Sequence, residues 1–135
     1  MDTANPQATE WTCRDGGASV KLVAPRVVLL TMYGRVDAGV GREAARALAE
    51  ALREGPPKDT FWNLFEMEGY HSDVRTRATQ ALLANWSNVL SVQVVASSKI
   101  VKMGVAVANV ALRGRIHSFE GFPSFERALA TACAG

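Results

Sequence analysis

The sequence predicts an α/β fold, a mixed sheet of about five strands with about four helices packed on it, in the order β-β-α-β-α-β-α-β-α. Three observations predict it. Short apolar, β-branched runs alternate with Ala-rich stretches of helical period along most of the chain. Gly and Pro punctuate nearly every change from one to the other. No interior linker, internal repeat or low-complexity segment divides the 135 residues, which suit one domain with a core of its own.

The opening residues 1–10 are polar and read as a flexible tail, leaving residues 11–135 as the domain. Ser19–Val23 reads as a strand ended by Pro25. Val27–Tyr33 is a near-continuous apolar run, the pattern of a strand buried on both faces. Ala24-Pro25-Arg26 between them suits a tight turn, so the pair predicts an antiparallel hairpin. Gly34–Gly41 reads as a loop in which Asp37 is a plausible helix cap. Glu43–Glu54 is a helix with Ala44, Leu48 and Leu52 on one face, stopped by Gly55-Pro56-Pro57.

Thr60–Phe65 is the next strand, and Glu66–His71 leaves it as a loop. Val74, Ala78, Leu82 and Trp86 repeat at intervals of four, predicting a helix over 73–86. Ser91–Ala96 is a strand, after which Ser97 and Ser98 are candidate caps. The valines of Ile100–Leu112 suit a strand, but its length and its Ala and Gly content suit a buried helix better. Arg115–Phe119 is a short strand, and Pro123 marks the start of a short final helix in which Phe125, Ala128 and Leu129 face the core. Beyond the hairpin, strands alternating with helices imply parallel pairing through crossovers.

Composition narrows the function. Hydrophobic residues make up 48% and charged residues 21%, and the formal charge of +2 implies no long-range attraction to nucleic acid or to an anionic membrane. Most of the basic residues are Arg, and Ala is abundant, which we read mainly as GC-rich coding. No apolar run is long enough for a membrane span, and Met1–Glu10 lacks the pattern of a secretory leader, so a cytoplasmic protein is expected. Cys13 and Cys133 then read as free thiols rather than a disulfide, and neither has metal-ligand neighbours.

Chemistry-bearing motifs are sparse. His71 and His117 are the only histidines, and no Gly-x-Ser-x-Gly elbow, P-loop or dinucleotide fingerprint is present. The expectation is a protein that is not an enzyme, with no cofactor and no metal. Ser72 has two readings. It is an N-cap, its hydroxyl accepting from a backbone N–H, or a regulatory phosphosite facing a helix N-terminus. Arg75 and Arg77 sit in the first turns of a helix, where cations oppose the dipole. Either Asp73, Glu66 or Glu68 pairs with them, or the helix start with Arg75 and His71 forms an anion site. The apolar helix around Met103–Leu112 is core, or part of it, with Trp86 or Phe122, makes a subunit contact or an apolar pocket. Trp86, Met103, Val107 and Phe122 are the candidate interface residues.

The element order is also that of STAS domains, named for sulfate transporters and anti-sigma factor antagonists. The chain resembles a divergent STAS-like member, the STAS/SEC14 group, over about residues 18–133. The resembling segments are Val28-Leu29-Leu30-Thr31-Met32-Tyr33-Gly34-Arg35-Val36-Asp37 and the strand end at Phe65-Glu66, then Tyr70-His71-Ser72-Asp73-Val74-Arg75, Ile116-His117-Ser118-Phe119 and Phe125-Glu126-Arg127-Ala128-Leu129. The resemblance implies a non-catalytic regulatory or scaffold domain that binds another protein, a kinase or sigma-factor regulator among the candidate partners; the apolar helix adds a homodimer as a further candidate. Some relatives bind small ligands instead, which makes a small-molecule or lipid-binding domain the alternative. The anti-sigma antagonists carry a phosphorylatable Ser or Thr in an Asp-Ser-Ser-Gly-Leu-like turn. Ser72 stands at the matching place, followed here by Asp73-Val74 instead of Gly-Leu.

Overall fold

The computed structural model describes residues 8–135. Seven strands form one sheet: β1 (Ala8–Cys13), β2 (Gly16–Ala24), β3 (Val27–Val36), β4 (Lys58–Leu64), β5 (Met67–Tyr70), β6 (Val89–Ala96) and β7 (Ile116–Phe119). Four helices accompany them: α1 (Ala38–Arg53), α2 (Ser72–Ala84), α3 (Lys99–Ala111) and α4 (Phe122–Ala134). The sheet order is β1-β2-β3-β4-β6-β7, with β5 pairing with β3 off this path. β1, β2 and β3 are antiparallel, and every later pairing is parallel. The expected hairpin and the parallel remainder are both present.

Two strands exceed the expectation. Residues 8–10, expected in the tail, belong to β1, where Thr9 pairs with Val20; residues 1–7 lie outside the described residues. The segment expected as a loop after β4 contains β5, which resumes alongside the C-terminal part of β3. Polar residues such as Thr9, Glu10 and Glu68 masked both strands, because backbone pairing with a neighbour needs no apolar side chain.

The helix expected from Glu43 begins earlier, at Ala38, directly after Asp37. Asp37 caps it as expected, its carboxylate accepting from the Val40 N–H at 2.8 Å. At the other end Gly55 adopts a positive φ of 75°, the left-handed conformation that costs glycine least. The Lys58 ammonium closes the same end by donating to the carbonyls of Glu54 and Pro56. α2 ends at Ala84 rather than at Trp86, which starts a single 3₁₀ turn, Trp86–Asn88. Ile100–Leu112 is helical, as its length suggested.

Alternation along the strands divides the core in two. Val28, Leu30 and Met32 of β3 face α1, α2 and α3 in the larger cluster. Val27 and Leu29 face α4 across the sheet, with Phe61 and Val95. There Phe61 meets Phe125 edge to face at 5.7 Å between centroids.

Candidate functional site

The turn singled out in the sequence is built by β5 and α2. Tyr70 pairs with Val36, and the His71 N–H donates to the Val36 carbonyl at 3.0 Å. His71 then turns out of the sheet in an extended conformation and, not Ser72, is the N-cap: its Nδ1 accepts from the Asp73 N–H at 3.1 Å. Ser72 is instead the first helical residue, and its carbonyl accepts from the Thr76 hydroxyl. The imidazole is one residue nearer the strand, and its ring nitrogen reaches the amide that a serine hydroxyl in the cap position would have served. Asp73 supplies the acidic charge that favours a helix N-terminus. His71, Ser72 and Asp73 are all exposed.

Tyr70 and Arg75 go elsewhere. Arg75 Nη1 donates to the Tyr70 hydroxyl at 3.3 Å, and both side chains are half-buried. Among the described residues the one ion pair is Arg46 with Glu43, so the pairing of Arg75 and Arg77 with Asp73, Glu66 or Glu68 is not formed. The turn is therefore split, three polar residues on the surface and two directed inward.

The inward pair lies at a cavity of about 70 Å³ between α2, α3 and the sheet. Sheet residues Trp62 and Val94 form its floor, Ala78 and Leu82 of α2 one wall, and Val101 and Ala108 of α3 the other. It exists because Ala78, Gly104 and Ala108 carry too little side chain to bring the two helices together. Gly104 has a second role: a Cβ there would lie 1.8 Å from the Tyr70 hydroxyl, so only glycine lets the phenol lie against α3. The polar side chains lining the cavity are Tyr70, Arg75 and Thr79. Gly104, Thr79 and Ala108 were not anticipated. The Gly104/Ala108 spacing, small residues four apart on an otherwise bulky helix, was the available signal.

The outer face of α3 carries Ile100, Met103, Val107 and Val110, exposed by 61%, 65%, 54% and 80%. Spacings of three, four and three put them on one side of the helix. Of the candidate interface residues, Met103 and Val107 thus share a surface. Trp86 does not join them: it packs half-buried against the larger core cluster with the Arg115 guanidinium 5.1 Å over its ring. Phe122 is on the opposite side of the sheet, 5.4 Å from Phe65.

Burial singles out a residue at the foot of α1. Lys58 is 3% exposed, and desolvation pushes its pKa below 10.5, with Glu54 opposing the shift. Cys13 and Cys133 are both free thiols. Among the described residues no three His, Cys, Asp or Glu side chains gather as a metal site would require, and no helix is long and apolar enough to cross a membrane.

No protein-family model matches the chain, and no curated protein does. Two solved structures do. One is the anti-sigma factor antagonist SpoIIAA in its unphosphorylated form, similar over 82% of this chain and 95% of that one, with a TM-score of 0.57 at 12% identity. This is a STAS-like fold. The other is an uncharacterized protein from the DUF3478 family with a SpoIIAA-like fold, from Shewanella loihica PV-4, covering 96% of this chain and 98% of that one, with a TM-score of 0.57 at 14% identity. The STAS-like likeness expected from the element order is borne out for the fold. At these identities it extends to the path of the backbone and not to any side chain.

Proposed function

We propose that this STAS-like chain is a non-enzymatic regulatory or scaffold domain that acts through protein–protein contact, and that the outer face of α3 makes the contact. The observation that carries this is the apolar stripe Ile100, Met103, Val107 and Val110, held outward on a helix whose inner face is already packed. A row of large apolar side chains in water gains by being covered. Lys99 and Lys102 stand on the same helix, Arg113 follows its end, and no acidic residue occurs between Ser97 and Phe119. Charge complementarity therefore favours a partner with an apolar patch and an acidic rim. A second copy docking by the same face would set these cations against each other. The solved relative that is an anti-sigma factor antagonist lends support to a switching role with a kinase or sigma-factor regulator as the partner.

The decisive experiment places a photo-crosslinking residue at Val110 in the protein's own cell. We expect one partner protein to be trapped, and the double substitution Met103→Glu, Val107→Asp to abolish trapping while the melting temperature holds. Trapping of only a second copy, or partition of the protein onto anionic vesicles with no protein trapped, would overturn it.

A further inference from the structure

We propose that the cavity between α2, α3 and the sheet binds a small monocarboxylate with an apolar tail, its carboxylate held by Arg75 and its tail lying over Trp62. The site is distinct from the outer stripe of α3 and does not depend on the contact proposed there.

Size and lining set the ligand class. At roughly 12 Å³ for each water-sized group, 70 Å³ admits about five or six such groups, a short acyl chain rather than a long one. The walls contributed by Trp62, Leu82, Val94, Val101 and Leu112 offer nothing for a sugar or a nucleotide to hydrogen-bond. The interior is apolar, and Tyr70, Arg75 and Thr79 stand together at its half-exposed edge, Arg75 bonded to Tyr70 and Thr79 one helical turn further on, so a head group at that edge is polar and the tail inside is not.

Charge sets the head group. Arg75 is the one cationic side chain lining the cavity, which suits a singly charged carboxylate better than a phosphate ester. No carboxylate of the described residues pairs with it. One of its five N–H donors is used on the Tyr70 hydroxyl, which fixes the guanidinium and leaves a pair of donors for a two-pronged bond to a carboxylate. It also stands in the first turn of α2, where its charge opposes the helix dipole. A bound anion would relieve that opposition. The Tyr70 and Thr79 hydroxyls, which also line the cavity, are free to turn O–H donors towards the carboxylate.

The experiment titrates hexanoate, whose five-carbon tail matches the cavity, and separately hexan-1-ol, into the ¹⁵N-labelled full chain and follows backbone amides and the Trp62 indole by NMR. We expect saturable shifts with hexanoate at Trp62, Val101 and Gly104, and binding of the alcohol weaker by about tenfold, the value of one charge-assisted contact. Arg75→Gln, at a half-exposed position, should bring hexanoate down to the affinity of the alcohol and leave the alcohol unchanged. Met103→Glu, Val107→Asp should bind hexanoate as the unaltered chain does, which separates this site from the outer stripe. Equal affinity for acid and alcohol, no loss in Arg75→Gln, shifts confined to the outer face of α3, or no saturable shift at millimolar hexanoate would each overturn the proposal.

Discussion

α1 and α3 lie on the same side of the sheet, and their sequences rank them the wrong way round for burial. α3 is the more apolar helix, with Ile, Met and four Val in Lys99–Ala111. Yet only Val101 and Gly104 of it are buried, whereas α1, studded with Arg and Glu, buries Val40, Gly41, Ala44, Ala45, Leu48 and Leu52. The polar residues of α1 confine its apolar ones to a single stripe that the sheet and α2 together cover. α3 is apolar nearly all round, and the sheet and α2 can cover only one side of it. Hydropathy measures what a helix would gain by burial, and neighbours decide how much of that gain is realised.

Substitutions in the two helices sharpen the contrast. Leu48, 0% exposed, has the largest expected effect: Leu48→Ala should cost about 2–5 kcal/mol in urea unfolding, since it opens a cavity under the sheet. A cost near that of an exposed site would break the comparison outright.

Lys58→Met comes next, at about 1–3 kcal/mol, because the carbonyls of Glu54 and Pro56 at the foot of α1 lose a buried donor. Its pH signature is separate. The folded-state pKa of Lys58 is lowered by burial, so the unfolded chain keeps this proton to a higher pH than the folded one. Stability contributed by this group therefore rises with pH in the window just below 10.5 and is lost as pH falls below it. Unfolding curves at several alkaline pH values should show that rise in the parent and not in Lys58→Met.

The two N-caps differ in the same sense. Asp37→Ala should cost about 0.5–2 kcal/mol, as the Val40 N–H loses its acceptor. Ser98 caps α3 with no side-chain hydrogen bond, so Ser98→Ala should move the thermal midpoint far less. The smallest effect is expected at Val107, 54% exposed: Val107→Ala should stay within about 0.5 kcal/mol of the parent. A loss comparable to Leu48→Ala would mean that the outer stripe is part of the folding core, and would remove the reason for assigning it a partner.

The candidate site was legible only in part. The turn at Tyr70–Arg75 stands out because a histidine, a serine and an acidic residue at a helix start are adjacent in sequence. That Tyr70 and Arg75 turn inward while His71, Ser72 and Asp73 stay exposed was not visible, since side-chain direction is set where β5 leaves the sheet and α2 begins. Met103 and Val107 share a face because they are four apart on one helix. Trp86 and Phe122 were grouped with them on chemistry alone, and the sheet separates Phe122 from that face.

Period and punctuation in the chain were enough to establish the alternation of strands and helices, the opening hairpin, the Asp37 cap and the Gly55 stop, because each of these depends on residues within a few positions of one another. The pairing of β1 and β5, the cap by His71, the burial of Lys58 against the end of α1 and the cavity between α2 and α3 belong to the tertiary structure. Each joins groups whose partners are chosen by the path of the backbone or by a neighbouring element, and Gly104 acquires its meaning only when the Tyr70 hydroxyl, thirty-four residues earlier in the chain, is brought against it.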